Sequence, residues 1–342
     1  LSEVFITSQL GLRVEKTQVD VDGVDVHLLA LTILDQTELG QVLSAPRESR
    51  VNSHYTNWLP NFDLKLELPR DLTLRLAISR SLTRPTMSQM SPSITLDTTR
   101  QGGDLRASTG NPQLQPFEST NFDFAGEWYY HPGNYLSVNY FRKKVKNFIT
   151  SQVTTVSLNN VTDPSTGSNP DAADDYDSLA LFDLTQPNNN ETATVHGWEL
   201  AWQHTFAESG FGVLANMTLV DSNAELDTNN VSQVFALTGL SDSMNLIGFY
   251  QSDNWQVRLV WNHRDGFLQS LKQVQGAEPT FVDKYQQTDL SIAYALNDKL
   301  SIFMEGINLT DEVLFKRGRY ANQFLLAQDT GARYSFGIRG QF

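Results

Sequence analysis

Apolar and polar positions alternate with period two along most of this chain. Phe62, Leu64, Leu66 and Leu68 alternate with Asn61, Asp63, Lys65 and Glu67, up to a tight turn at Pro69–Asp71. Leu72, Leu74, Leu76 and Ile78 then alternate with Thr73, Arg75, Ala77 and Ser79. Phe122, Phe124, Trp128 and Tyr130 lead to the turn His131–Asn134, and Leu136, Val138 and Tyr140 follow it. The pattern returns at Trp198–Trp202, Trp255–Trp261 and Leu290–Leu296. Successive strand side chains point to opposite faces, so each segment reads as a strand with one apolar and one polar face. Helical spacing fits these segments poorly.

The connections alternate as regularly as the side chains. Short turns are expected near Pro69–Asp71, His131–Asn134, Glu208–Gly210, Asp253–Asn254 and Asn297–Asp298. Long polar stretches are expected near Val21–Ser53, Arg84–Pro116, Gln152–Glu191, Asp221–Leu237, Gln269–Asp283 and Leu309–Asp329. Porin-like barrels have short turns on the periplasmic side and long loops outside. The strands are ~10 residues or longer, against ~5–6 in ordinary globular proteins. Tyr334, Phe336, Ile338 and Phe342 share one face of a last strand, with Arg333, Ser335, Gly337, Arg339 and Gln341 on the other. The fold expected is all-β: an antiparallel transmembrane β-barrel wall of about twelve strands, the first near Gly11–Val19. Phe122, Phe124, Leu136, Val138, Leu290, Ile292, Phe336 and Ile338 are expected to face lipid.

Composition narrows the alternatives. No cysteine is present, which removes disulfides and thiolate chemistry. A net charge of -14 opposes a nucleic-acid surface. The near-apolar run Leu28–Leu34 is far short of the ~20 residues of a spanning helix. Mean hydropathy of -0.33 looks soluble, but an average is blind to alternation. No secretory leader is legible, so a mature or truncated chain is expected.

Several stretches resemble one family. Leu74–Pro85 resembles the strand that runs into an Arg-Pro loop in TonB-dependent outer-membrane receptors. Leu105–Pro116, with Gly110-Asn111-Pro112, Leu114 and Pro116, is similar to their GNP.L.P segment, and Glu118–Phe124 to the strand after it. Gly197-Trp198-Glu199 is similar to their GwE strand, and Asn308-Leu309-Thr310-Asp311 to their NLTD element. The wording is closest to proteobacterial receptors linked to oligosaccharides. The resemblance implies a barrel of about 22 strands, so residues 1–342 are expected to be its C-terminal portion, with the plug domain absent. It also implies energised uptake, across the bacterial outer membrane, of a ligand such as an oligosaccharide or siderophore. The implied partners are outer-membrane lipid, the TonB complex through a missing N-terminal region, and the barrel-assembly machinery. That machinery would recognise Tyr334, Phe336, Ile338 and Phe342. Two other classes stay open: an outer-membrane enzyme with a self-contained twelve-stranded barrel, and a soluble β-rich adhesin.

Candidate chemistry is sparse. No Gly-x-Ser-x-Gly elbow appears, and six histidines are scattered without ligand spacing, so no catalytic residue, metal or cofactor is expected. His196 and His204 fall on the lipid-facing parity and suit an aromatic girdle. The carboxylates of Asp171–Asp177 match no calcium motif and read as a solvated loop. Arg258, Arg264, Arg333 and Arg339 read as inward-facing, paired with lumen carboxylates such as Glu199, Asp289 and Glu305 or with the absent plug, or turned to a ligand. Tyr55, Trp58, Tyr176 and Tyr320 read as exposed loop aromatics able to stack on a sugar. With Arg258 and Arg264, these four make the candidate ligand-binding set.

Overall fold

The computed structural model describes residues 3–102, 104–231, 233, 235–271 and 278–341. In chain order the strands are β1 (Phe5–Asp25), β2 (Leu28–Ile33), β3 (Leu39–Leu43), β4 (Arg47–Leu68), β5 (Leu72–Thr83), β6 (Ile94–Arg100) and β7 (Asp104–Thr109). Next come β8 (Phe117–His131), β9 (Asn134–Thr162), β10 (Leu179–Thr205), β11 (Phe211–Ser222), β12 (Ser243–Gln251), β13 (Trp255–Arg264) and β14 (Phe267–Ser270). The last are β15 (Thr280–Val282), β16 (Tyr285–Asn297), β17 (Leu300–Ile307), β18 (Leu314–Arg317), β19 (Phe324–Gln328) and β20 (Arg333–Gly340). Short 3-10 turns form at Ser88–Met90 and Ala207–Ser209.

Among the described residues, twelve strands pair into one path, β1-β4-β5-β8-β9-β10-β11-β12-β13-β16-β17-β20, each antiparallel to its neighbour. The expected count of twelve holds, and all five short turns fall between path neighbours. At one of them Pro132 fixes φ and Gly133 takes φ 78, a region costly for residues with a Cβ. Among the described residues the path is open, since β1 pairs only with β4 and β20 only with β17.

Register turns the alternation into two chemically distinct faces. Leu64, Leu76, Phe124, Tyr140, Trp198 and Leu219 stand side by side in successive strands. On the same face, His204, Val213, Gly248, Leu259, Leu290, Gly306 and Tyr334 form a second row. On the opposite face Lys65, Arg75, Ala125, Asn139, Glu199, Thr218, Ser243 and Arg264 line up. All eight residues expected to face lipid stand on the apolar face. That face is bare, with Phe336 86% and Leu10 82% exposed. A contiguous apolar surface of this extent needs an apolar solvent.

The apolar band has edges of its own. One row above Trp198 the same face turns charged at Arg142, His196 and Asp221, where His196 Nε2 lies 3.9 Å from Asp221. Toward the short turns it ends in aromatics: Trp128 on Tyr130 at 5.0 Å, His204 on Phe206 at 4.6 Å, Phe211 on Tyr250 at 4.7 Å and Trp255 on Tyr294 at 4.6 Å. His204 thus sits in the girdle expected of it. Along β10 and one residue beyond it the band runs from Trp198 to Phe206, near the ~9–11 residues that span hydrocarbon.

Two of the expected loops prove shorter. β9 and β10 contain 29 and 27 residues, so most of Gln152–Glu191 is strand, not loop. Within Val21–Ser53, β1 runs on to Asp25, β4 begins at Arg47, and the hairpin β2–β3 fills the gap. Parts of these extensions pack into the roof core and the rest stands in water. Backbone pairing holds them without the apolar alternation that marks the wall.

The buried apolar core lies outside the membrane band. Leu28, Leu31 and Leu39 of β2–β3, Leu105 and Ala107 of β7, Val161 at the end of β9, and Ala180 and Phe182 of β10 pack together. Three hairpins therefore form a small extramembrane roof.

Candidate ligand-binding surface

The roof is assembled by a long reach. The connection leaving β5 returns to β8, yet its hairpin β6–β7 lands on β10, where Arg106–Ser108 run parallel to Asp183–Thr185. It thus bridges β8 and β9. The Gly110–Pro116 segment fastens it there. Asn111 donates its backbone N–H to the Gln89 carbonyl at 2.7 Å and its side-chain amide to the Pro187 carbonyl at 3.1 Å. Asn189 accepts from the Gln115 N–H at 2.6 Å and donates to the Gln115 carbonyl at 3.0 Å. Leu114 is 1% exposed. The side β2–β3 is tied in where Thr99 Oγ1 donates to the Leu39 carbonyl at 2.9 Å.

Beneath the bridge is a cavity of about 430 Å³, lined by the turn at Ser88–Ser91, by β6 and β7, and by Ile149–Ser151 of β9 with Pro187 of β10. Its described lining carries eight serine and threonine hydroxyls and no charged side chain. A larger cavity of about 540 Å³, walled by Trp255, Ile292, Ile302, Met304, Phe336 and Ile338, belongs to the apolar face and meets the membrane.

A second assembly joins the connections on the other side. Arg319 is 4% exposed and pairs with Glu278 at 2.9 Å. It also donates to the carbonyls of Thr228 at 3.2 Å and Asn230 at 3.4 Å. One guanidinium thereby fastens segments from three connections. Nothing in the sequence marked it, because an arginine in a polar stretch reads as solvated.

The expected binding residues are dispersed. Tyr55 and Trp58 lie within β4, not in a loop, and Trp58 shares the apolar face with Phe62 and Leu64. Tyr176, 78% exposed, stands in the connection between β9 and β10, and Tyr320, 48% exposed, between β18 and β19. Arg258 is on the polar face opposite Ser291. Arg264 stacks on the Phe267 ring at 3.9 Å and donates to the Gly239 carbonyl at 3.0 Å. No hydrogen bond or ring contact joins any two of the six among the described residues, and none of them lines the hydroxyl cavity. Its residues were missed because scattered Ser and Thr carry no spacing signature.

The expected arginine pairs do not form. Glu199 accepts from Asn139 at 3.0 Å, Asp289 from the Asn308 N–H at 2.9 Å, and Glu305 from Ser335 at 3.3 Å. Arg339 lies over the Phe303 ring at 5.7 Å, and among the described residues Arg258 and Arg333 have no ion pair. Asn139 and Ser335 in neighbouring strands, and the Asn308 backbone just past β17, reach these carboxylates instead. Wall pairs that do form include Arg75 with Glu127 at 2.8 Å, Arg13 with Glu15 at 2.6 Å and Lys65 with Glu67 at 2.5 Å.

In the acidic loop the carboxylates accept backbone donors of the loop itself. Asp174 accepts backbone N–H groups from Asn169 at 3.0 Å and Tyr176 at 2.8 Å, and Asp177 accepts from Asp174 at 3.0 Å. Among the described residues no cluster of three His, Cys, Asp or Glu side chains is arranged to hold a metal. Tyr334, Phe336 and Ile338 share the apolar face of β20, and Phe342 lies outside the described residues.

The family model described as TonB dependent receptor-like, beta-barrel, matches residues 6–309. The chain belongs to the TonB-dependent receptor family. A ferric enterobactin receptor of Pseudomonas aeruginosa is 25% identical over 271 residues, covering 77% of this chain and 34% of that relative. A solved structure of the P. aeruginosa ferric enterobactin receptor with enterobactin superposes with a TM-score of 0.61 at 20% identity, over 89% of this chain and 44% of that one. The siderophore receptor PirA of Acinetobacter baumannii gives 0.60 at 18% identity, over 97% and 46%. The chain therefore spans a third to a half of the length of these proteins. The bare apolar face is accordingly the lipid face of an outer-membrane barrel wall, the polar face is the lumen side, and the roof is extracellular. The family consists of transport receptors.

Proposed function

We propose that this chain is the C-terminal barrel portion of an outer-membrane receptor that binds a specific ligand at its extracellular roof and admits it with energy relayed by TonB. The observation that carries this is the combination of a lipid-facing wall with an extracellular cavity held under a bridging hairpin. The open path suits a wall completed by further strands, because hydrocarbon does not tolerate free strand edges. The named relatives are siderophore receptors, and a siderophore or an oligosaccharide is the class of cargo proposed here. No enzymatic role is assigned. The outward row Tyr334, Phe336 and Ile338, with Phe342, is proposed to dock on the barrel-assembly machinery. Tyr176 and Tyr320, exposed on the roof side, and Arg258 on the lumen side remain proposed ligand contacts.

The test is ligand accumulation in cells making the full-length receptor, with and without TonB. Accumulation that needs both the receptor and TonB is expected. Accumulation unchanged by loss of TonB would sink the energised-uptake reading.

A further inference from the structure

We propose that the cavity beneath the β6–β7 bridge is a binding site for an uncharged polyhydroxylated ligand, a neutral oligosaccharide, and that it disfavours anionic ferric catecholates. The proposal rests on the uptake reading above and names its substrate class.

The direction of the hydrogen bonds is the first argument. Ser93 Oγ donates to the Val24 carbonyl at 2.9 Å and Thr109 Oγ1 to the Pro92 carbonyl at 3.3 Å. Ser108 Oγ donates to Asp97 at 3.2 Å and Thr150 Oγ1 to Asn190 at 2.9 Å. Each of these hydroxyls has spent its one proton on the protein and keeps a lone pair. Toward the cavity they act as acceptors. Ser91, Thr95 and Ser151 also line it, and their hydroxyls make no side-chain hydrogen bond among the described residues. They can serve as donor or acceptor.

Such a lining offers acceptors at these four hydroxyls and donors at Ser91, Thr95, Ser151 and the Gln89 amide. A sugar hydroxyl donates and accepts, so it pairs with both sets. A catecholate, carboxylate or phosphate oxygen only accepts, so it can use the second set alone and leaves the four acceptor hydroxyls without a donor. Pro187 and Ile149 supply the apolar surface on which a sugar ring's C–H face can rest. The volume of about 430 Å³ falls in the range of small-molecule sites.

Charge is the second, independent argument. The six long connections, residues 26–46, 84–116, 163–178, 223–242, 265–284 and 308–332, contain 18 Asp and Glu against 8 Lys and Arg. The connection that lines the cavity, 84–116, is near neutral with Asp97 and Asp104 against Arg84, Arg100 and Arg106, so the acidic excess of the outer surface acts on a polyanion at long range and leaves a neutral molecule untouched. The Asp97 carboxylate directly behind Ser108 adds local repulsion.

The experiment uses the purified full-length receptor and its Ser91→Ala, Ser151→Ala and Thr95→Asp variants. Heat-modifiable mobility on gels confirms that each variant folds. The probes are a panel of uncharged oligosaccharides and, as the anion, ferric enterobactin, all titrated by calorimetry. At least one uncharged oligosaccharide is expected to bind. Its affinity is expected to fall about tenfold in each alanine variant, with ferric enterobactin bound at least a hundredfold more weakly. No binder in the panel, or ferric enterobactin bound more tightly than any sugar, overturns the site. So does sugar binding indifferent to all three substitutions. The uptake reading fails separately. Were accumulation in cells independent of TonB while the sugar still bound this cavity, only that reading would fall. TonB-dependent accumulation of ferric enterobactin, indifferent to the three substitutions, would remove the cavity proposal alone.

Discussion

Arg319 shows how one residue can organise a surface that periodicity does not describe. Its guanidinium is buried and spends its donors on Glu278, Thr228 and Asn230. Arg319→Ala leaves those acceptors to water and removes the tie between three connections. A loss of roughly 1–3 kcal/mol is expected, discounted because the Glu278 side chain is 47% exposed. Hydrogen exchange of residues 224–230 should accelerate by one to two orders of magnitude, and unchanged exchange would refute the clasp. At the lipid face, Phe124→Lys is expected to cost about 2–4 kcal/mol in lipid vesicles. Ser137→Lys, on the lumen side opposite Glu127, should cost little. Equal losses in denaturant unfolding would mean that the two faces are misassigned. At the β2–β3 turn, Asp35 accepts from the Thr37 N–H at 2.7 Å, the Thr37 hydroxyl at 2.8 Å and the Glu38 N–H at 2.9 Å. The Thr37 backbone bond is the largest of the causes that hold its carboxyl below the ordinary carboxylate value. A depressed folded value means that the turn's stabilisation is complete above the unfolded carboxylate range. It is lost as pH falls through the folded value. Amide protection at Thr37 and Glu38 should therefore be full at neutral pH and disappear in acid.

Strands in this wall are fitted to one another by glycines that lie under rings. A Cβ on Gly197 would sit 2.2 Å from the Leu219 carbonyl oxygen and 2.7 Å from the Phe141 ring. One on Gly337 would sit 2.7 Å from the Phe303 ring. At Gly126 the nearest atom is 3.6 Å away. Gly197→Ala is thus expected to cost about 1–3 kcal/mol, because a backbone carbonyl cannot step aside. Gly126→Ala should be tolerated. The yield of heat-modifiable receptor reads both, and a Gly197→Ala variant assembling like wild type would contradict the close approach. The motifs that carried the family resemblance turn out to be such fittings. Asn308 is 2% exposed and exchanges two hydrogen bonds with the Glu312 backbone, closing the turn after β17. Asn111 and the segment after it sew the bridge to β10. They are visible in sequence because each needs a particular residue for a particular backbone geometry.

For the whole molecule, the open ends of the path dominate. β1 and β20 each leave one edge of backbone N–H and C=O groups without a partner strand among the described residues. In hydrocarbon such an edge is far costlier than in water. Residues 1–342 refolded alone into lipid vesicles are therefore expected to aggregate, while the full-length receptor should fold to a heat-modifiable barrel. Efficient folding of the isolated chain to a protease-resistant form would favour self-closure of β1 on β20. A lipid-facing band capped by a water-soluble roof also implies two separable stabilities. The roof core of Leu31, Leu105 and Phe182 should loosen at lower denaturant than the wall.

The sequence by itself determined the wall: twelve strands, their turns and which side chains meet lipid. That much is local, because a strand placed between two solvents must alternate residue by residue, and a one-step slip would put charge into hydrocarbon. It also held the family motifs, since Gly110, Asn111, Gly197 and Asn308 answer to backbone geometry. The tertiary structure alone decided the roof, the Arg319 clasp, the environments of Arg258 and Arg264, and the hydroxyl cavity. Above the membrane only a few positions of β9 and β10 are buried, Val161, Ala180 and Phe182 among them, too few to mark in sequence where the strands run. Ser91, Thr109 and Ser151 become one surface only because a hairpin from one side of β8 lands on β10. Hydroxyls that form a site through such a landing leave no period and no spacing in the chain.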